Sequence, residues 1–152
     1  MTLQQRYIIF YLLIASPISA VCTDIYVPSL PSITQYFSTT QALVQLSISI
    51  YLFVYAVFSV FFGPIADTYG RKKPLYFGAI LFIISSYFIT QSTSINMFLW
   101  CRLLQGIAVG AIAPVTRAII PDTFKGKAYR RVINLISIEW SIGIIVSPYL
   151  GG

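Results

Sequence analysis

The sequence is poor in charged residues and contains no histidine. Only 9% of its 152 residues are charged, four of them acidic and ten basic, and two residues are cysteines. Soluble domains average about 25% charged residues, so this composition excludes an ordinary soluble fold. Without histidine, and with so few cysteines, the chain has neither a metal-ligand spacing nor a disulfide scaffold. No catalytic dyad or metal cluster favours an intramembrane enzyme, and we expect the chain not to be an enzyme.

The sequence contains long runs of apolar residues. Hydrophobic residues make up 57% of the chain, and a membrane-spanning helix needs roughly 20 consecutive apolar residues. We therefore predict an all-α integral membrane protein, a single helical bundle over residues 1–152. The first run is longer than the core of a signal peptide, so we expect it to stay as an uncleaved span. About five spans are predicted, near 7–27, 42–66, 74–90, 95–120 and 132–150.

The basic residues between the apolar runs predict the orientation. The net charge is +6, and eight of the ten basic residues are Arg6, residues 71–73 and residues 125–131. In a chain threaded five times through a bilayer, these three places lie on one side, which the positive-inside rule makes cytoplasmic. We therefore predict a cytoplasmic N-terminus. The charge pattern indicates the lipid bilayer as the partner and argues against nucleic acid.

Two ionisable residues fall at similar depth in the outer third of the predicted spans. Asp24 is near the end of the first span, and Arg102 is about seven residues into the fourth. Ionisable groups in hydrocarbon are costly and usually mark function. One interpretation is that Asp24 binds a proton and Arg102 tunes its pKa through charge proximity. The alternative is that Asp24 caps the first helix at the interface and Arg102 extends outward to water.

Two further ionisable residues, Arg117 and Glu139, lie toward the cytoplasmic side of the fourth and fifth spans. We interpret Arg117 as part of a structural ion pair, with Glu139 or with Asp122 as its partner. Glu139 is also a candidate for a substrate cavity, where it would meet a cationic substrate. Tyr51 and Tyr55 share one face of the second span, one turn apart. They either line the same cavity or serve packing.

Three motifs resemble signatures of the major facilitator superfamily. The segment Gly63-Pro64-Ile65-Ala66-Asp67-Thr68-Tyr69-Gly70-Arg71-Lys72-Lys73 resembles the loop between the family's second and third helices. That loop helps to gate the switch between inward and outward states. The resemblance assigns gating to residues Gly63, Asp67, Gly70, Arg71 and Lys72. Thr68 departs from a commonly basic position, so one gating ion pair of the family is missing here.

The second and third motifs lie on the fourth and fifth spans. Arg102-Leu103-Leu104-Gln105-Gly106, with Gly110 beyond it, is similar to the fourth-helix motif, whose arginine is implicated in proton coupling. The glycine pair spaced by three residues allows close helix approach. The fifth-helix motif of the antiporter branch is matched by Gly143, Ser147, Pro148, Gly151 and Gly152. Ser147 replaces a usual glycine, and this face is expected to pack on the second half of the transporter.

Two more segments narrow the resemblance. Residues 24–31 and residues 117–122 look like the bicyclomycin-resistance (Bcr/CflA) group of drug:proton antiporters. Such proteins have twelve helices in two six-helix halves, so this chain would be an N-terminal fragment. The resemblance implies efflux of a drug-like small molecule in the bacterial inner membrane, no cofactor, and a proton gradient as the energy source. It also implies a missing C-terminal half or complementary chain, without which we expect no activity.

Two other interpretations stay open. The chain is alternatively a segment of a metabolite or uptake transporter of the same superfamily, although the fifth-helix motif argues against this. It is otherwise a membrane protein that does not transport, either a small partner subunit or the remnant of a broken gene. The residues alone do not decide among these three.

Overall fold

The computed structural model describes residues 3–15 and 27–151, and within them it contains helices and turns but no strand. The prediction of an all-α fold is therefore confirmed for this part of the chain. A short 3-10 turn at Val27–Ser29 precedes the second helix. The helices are α1 Leu3–Ala15, α2 Leu30–Tyr36, α3 Gln41–Tyr69, α4 Lys72–Thr90, α5 Ile95–Thr123 and α6 Gly126–Gly151.

Three of these helices, α3, α4 and α5, are long and apolar enough to cross a membrane. Their outer faces expose large apolar side chains: Phe53 is 71% exposed, Val60 72% and Ile83 67%. Lipid tails cover such a surface without cost, whereas water does not. The predicted first span includes residues 16–26, which lie outside the described residues, and the last span coincides with most of α6. The count of five spans stays a prediction.

The chain divides into two compact units. Among the described residues, 29–115 form the central unit, and 3–15, 27–28 and 116–151 form the terminal unit. The boundary falls inside α5. The central unit contains α2, α3, α4 and most of α5, whereas the terminal unit contains α1, the end of α5 and α6.

In the central unit, glycines set the distances between helices. A Cβ atom on Gly106 of α5 would lie 2.8 Å from the carbonyl oxygen of Tyr51 on α3. A Cβ atom on Gly78 of α4 would lie 2.7 Å from the carbonyl oxygen of Ala108 on α5. Only a residue without a side chain permits such an approach. The predicted close packing at the glycine pair of α5 is thereby confirmed, and α5 packs against both α3 and α4.

Two connections are shorter than the sequence indicated. We expected a loop over residues 67–73, but α3 continues to Tyr69 and α4 begins at Lys72. Gly70 ends α3 with a φ of 88°, a conformation that favours glycine. Likewise, the expected loop over residues 121–131 is largely helical, because α5 runs past Pro121 to Thr123 and α6 begins at Gly126. Lysine and arginine have good helix propensity, so a basic segment at a membrane surface stays helical.

The terminal unit has a small apolar core. Leu12 of α1, Ile120 of α5, Phe124 and Val132 of α6 form a buried cluster, and Phe124 is 1% exposed. Phe124 lies between α5 and α6, so the short connection is fixed by burial of its ring. This core positions the start of α6, where the basic residues of that segment lie.

Candidate functional site

Arg102 lies inside the central unit, with 8% of its surface exposed. Its Nη1 donates to Oε1 of Gln105 at 3.3 Å, and Nε2 of Gln105 donates to Oγ of Ser86 on α4 at 2.9 Å. The hydrogen bonds thus run from α5 to α4. We call these three residues the Arg102 relay. Burying a charge is costly unless it is paired or hydrogen-bonded, and the relay supplies one hydrogen bond to the guanidinium within the protein.

An aromatic ring covers the same guanidinium. The guanidinium carbon of Arg102 lies 5.4 Å from the ring centroid of Phe98, one turn earlier on α5. Phe37, which follows α2, lies 5.5 Å from Phe98, centroid to centroid. A cation over an aromatic face is stabilised by about 0.5–2 kcal/mol. Arg102 therefore lies between an amide and an aromatic ring, and it is held inside the unit instead of extending outward to water.

Ser86, Gln105 and Phe98 are not among the predicted site residues, although Gln105 belongs to the fourth-helix motif. Gln105 and Phe98 were detectable in principle, because residues three and four positions from Arg102 share its face of a helix. Ser86 gave no such signal. Its position next to Gln105 depends on how α4 and α5 pack, which spacing along the sequence does not determine.

Tyr51 and Tyr55 lie at the contact between α3 and α5. Their rings stack with centroids 6.5 Å apart and planes 17° apart, and Tyr51 is 2% exposed. The carbonyl oxygens of the two tyrosines face Gly106 and Gly110. This position favours packing as the role of Tyr51. Its assignment to a substrate cavity, and that of Tyr55, stay predictions.

The predicted gating segment surrounds the turn between α3 and α4. Nη2 of Arg71 lies 3.2 Å from Oδ1 of Asp67, so the structure brings these two residues together across Gly70. The Asp67 side chain is 65% exposed, and the pair therefore lies at the surface, where such bonds contribute little. Lys72 begins α4. In the part of the chain that the structure describes, nothing lies within 4 Å of a Cβ built on Gly63 of α3.

The remaining predicted residues are dispersed. Asp24 lies outside the described residues, so its relation to Arg102 stays a prediction. Glu139 is partly buried on α6 in the terminal unit. Arg117 and Asp122 are both exposed near the end of α5, and their pairing is untested.

The antiporter motif lies on α6. Among the described residues, nothing lies within 4 Å of a Cβ built on Gly143. Ser147, Pro148 and Gly151 are helical residues of α6, and Gly152 lies outside the described residues. The packing of this face on further helices stays a prediction.

The described residues line several cavities, among them the following two, which are open to the outside. One, of about 730 Å³, lies in the terminal unit, and the other, of about 310 Å³, lies in the central unit. Neither is lined by Tyr51, Tyr55 or Glu139. The first is lined by Ile9, Phe10, Leu13, Ala128, Arg131, Val132 and Leu135, and the second by Ile50, Asn96, Leu99, Trp100 and Leu103.

Long apolar helices, glycine-mediated packing and a buried arginine define a multi-pass helical membrane protein. The family model described as Major Facilitator Superfamily matches residues 12–152, and the chain belongs to that superfamily. The members of this family are membrane transporters and not enzymes. The prediction of an all-α membrane fold of this superfamily is confirmed for the described residues.

Curated relatives support the same assignment. The chain is 34% identical over 129 residues to an uncharacterized MFS-type transporter, YdgK, of Bacillus subtilis (strain 168); the match covers 85% of this chain and 32% of the relative. It is 33% identical over 128 residues to the multidrug resistance protein MdtL of Shewanella sp. (strain ANA-3); the match covers 84% of this chain and 32% of that relative. It is 34% identical to MdtL of Escherichia coli O139:H28; this match covers 84% of this chain and 33% of that relative. The chain thus spans about a third of the length of these relatives.

Proposed function

We propose that this chain is the N-terminal segment of a proton-coupled multidrug efflux transporter, which exchanges a drug-like cation for protons across a bacterial inner membrane. The N-terminus is cytoplasmic in this proposal. Relatives named multidrug resistance proteins support the substrate class. The single observation that carries the coupling is the buried Arg102 relay.

The relay supports coupling through its charge. Arginine stays protonated at any physiological pH, so Arg102 is a fixed positive charge inside a membrane span. A fixed cation changes the proton affinity of a nearby carboxyl and competes with a cationic substrate for it. In the proposal, Asp24 is that carboxyl. Proton binding and drug binding then exclude each other, which is the requirement for exchange.

We further propose that the 152-residue segment does not transport by itself. Alternating access rocks one bundle of helices against another around a site near the midplane. The chain spans about a third of the length of its curated relatives, and no described residue lies within 4 Å of a Cβ on Gly143, which supports packing of further helices at that position. The remaining helices, on the same chain or a complementary one, are the partner that the proposal requires.

The test compares the chain alone with a joined transporter, in which it is fused to the segment that follows the matched region in E. coli MdtL. Both are expressed in an efflux-deficient strain, their membrane levels are checked by blotting, and efflux of ethidium is measured with and without an uncoupler. We expect uncoupler-sensitive efflux from the joined transporter only. Efflux by the chain alone would contradict the requirement for further helices.

Two arginine variants of the joined transporter test the coupling. Arg102→Ala should abolish uncoupler-sensitive efflux. Arg130→Ala, which removes an exposed arginine of α6, is the matched control and should retain it. Normal efflux by Arg102→Ala at an equal membrane level would refute the role of the buried charge.

A further inference from the structure

We infer that Ser86 is a positioning residue: by anchoring the amide of Gln105 from α4, it holds the guanidinium of Arg102 in place on α5. The contacts among Arg102, Gln105 and Ser86 all lie within the central unit. Only its consequence for transport rests on the proposed function.

The chemistry of the Gln105 amide determines which of its two polar atoms bonds Arg102 and which bonds Ser86. A guanidinium carries donors and no acceptor, whereas an amide has an accepting oxygen and a donating nitrogen at opposite ends. Arg102 therefore requires the oxygen of Gln105, at 3.3 Å, and the nitrogen then points away. Ser86 accepts from that nitrogen at 2.9 Å. With both ends bonded, rotation of the amide is opposed from α4 as well as from α5.

Ser86 differs in this respect from the serine beside it. Ser85 is fully buried, but its hydroxyl donates to the carbonyl oxygens of Leu81 and Phe82 at 2.7 and 3.1 Å. Serine in an apolar helix commonly bonds to the preceding turn in this way. The hydroxyl of Ser86 instead bonds a side chain of another helix, as polar residues do when they join membrane helices. Ser85 is therefore a matched control.

The first experiment measures the relay without transport. The 152-residue chain is labelled with 15N at glutamine and arginine side chains and placed in lipid nanodiscs for NMR. Ser86→Ala should shift or broaden the side-chain signals of both Gln105 and Arg102, whereas Ser85→Ala should leave them in place. Ser86→Thr keeps a hydroxyl and should restore the Arg102 signal. An unchanged Arg102 signal in Ser86→Ala, with the backbone spectrum intact, would overturn the inference.

The second experiment measures the consequence in the joined transporter. A neutral hydrogen bond contributes about 1 kcal/mol, which corresponds to a change of about fivefold. We therefore expect Ser86→Ala to lower the rate of uncoupler-sensitive efflux by about 3- to 10-fold. Ser85→Ala should change it by less than about twofold, and Ser86→Thr should recover most of the rate. Equal losses for the two alanine variants would indicate a general packing effect and refute the inference.

A further variant distinguishes loss of the relay from a folding defect. In a Gln105→Glu background, charge attraction holds the carboxylate on Arg102 without help from α4. Adding Ser86→Ala there should change the Arg102 NMR signal little, and a full Ser86 effect in this background would count against the relay. If the joined transporter shows no efflux while the NMR results hold, the proposed function fails and the positioning role of Ser86 stands.

Discussion

Replacing Gly110 by alanine places a methyl group where α3 leaves no room for it. The added Cβ would lie 2.8 Å from Cβ of Phe58, 3.2 Å from the backbone nitrogen of Ser59 and 3.2 Å from the carbonyl oxygen of Tyr55. Carbon atoms pack best at about 3.5–4.0 Å, so the first contact is too short by ~0.7 Å. None of these atoms is the end of a flexible side chain, and α3 must therefore move away from α5.

The magnitude follows from two opposing terms. Overpacking a tight interface costs about 1–3 kcal/mol. Alanine regains up to about 1 kcal/mol of helix propensity relative to glycine. Two of the three close contacts are backbone atoms that cannot rotate away, so the overpacking cost lies in the upper part of its range, and we expect Gly110→Ala to lower the free energy of unfolding by about 1–2 kcal/mol. Because 1.4 kcal/mol corresponds to tenfold in an equilibrium constant, the change is large enough to measure.

The assay is reversible unfolding of the purified chain by SDS in mixed micelles, followed by circular dichroism. Gly63→Ala is the control on α3, because a Cβ there meets nothing within 4 Å; it should leave stability unchanged or raise it. Gly106→Ala, with its Cβ 2.8 Å from the carbonyl oxygen of Tyr51, should behave like Gly110→Ala. If Gly110→Ala were as stable as the original chain, the close approach of α3 and α5 would be refuted.

Three further outcomes test the turn and the orientation. Gly70→Ala should destabilise the chain by about 1–3 kcal/mol in the same unfolding assay, because an L side chain rarely adopts its φ of 88°; equal stability would contradict that backbone conformation. Arg71→Gln breaks the surface pair with Asp67, and thermal unfolding should show a loss below about 1 kcal/mol; a larger loss would mean that the pair is more than a surface contact. In a background without the native cysteines, Gln35→Cys should react with a membrane-impermeant maleimide on intact cells, and Lys125→Cys only after lysis; the reverse pattern would invert the predicted topology.

The sequence was informative wherever a local pattern has one physical explanation. A run of apolar residues suits only a lipid-facing or buried helix, and α3, α4 and α5 follow the predicted runs within a few residues. The glycines at 106 and 110 have a spacing that places both on one helix face, and α3 fills that face. Hydrophobicity did not locate the ends of α3 and α5, because polar residues at a membrane surface remain helical until a glycine or a turn ends the helix.

The candidate site was only partly accessible to the same reasoning. A charge in a membrane span is conspicuous in any sequence, so Arg102 was identified. Its partners were not, since Ser86 resembles every other serine of an apolar helix until α4 is packed against α5. The position of a residue along a predicted span indicates its depth in the membrane, but it does not indicate which way its side chain faces around the helix axis. The proximity of Asp24 to Arg102 therefore remains a prediction, since Asp24 lies outside the described residues.

The burial of α5 explains why the charge is on this helix. In α3 and α4, 17% of the apolar stretch is buried, against 56% in α5. Gly106 and Gly110 bring α3 against it, and Gly78 brings α4 against it. A guanidinium on a lipid-facing helix would cost about 2.5–3.5 kcal/mol on insertion scales, whereas the guanidinium of Arg102 bonds the amide of Gln105 and lies 5.4 Å from the ring of Phe98. The small residues of α5 thus permit the contacts that make a buried charge tolerable, and replacing them should disturb the Arg102 relay as well as stability.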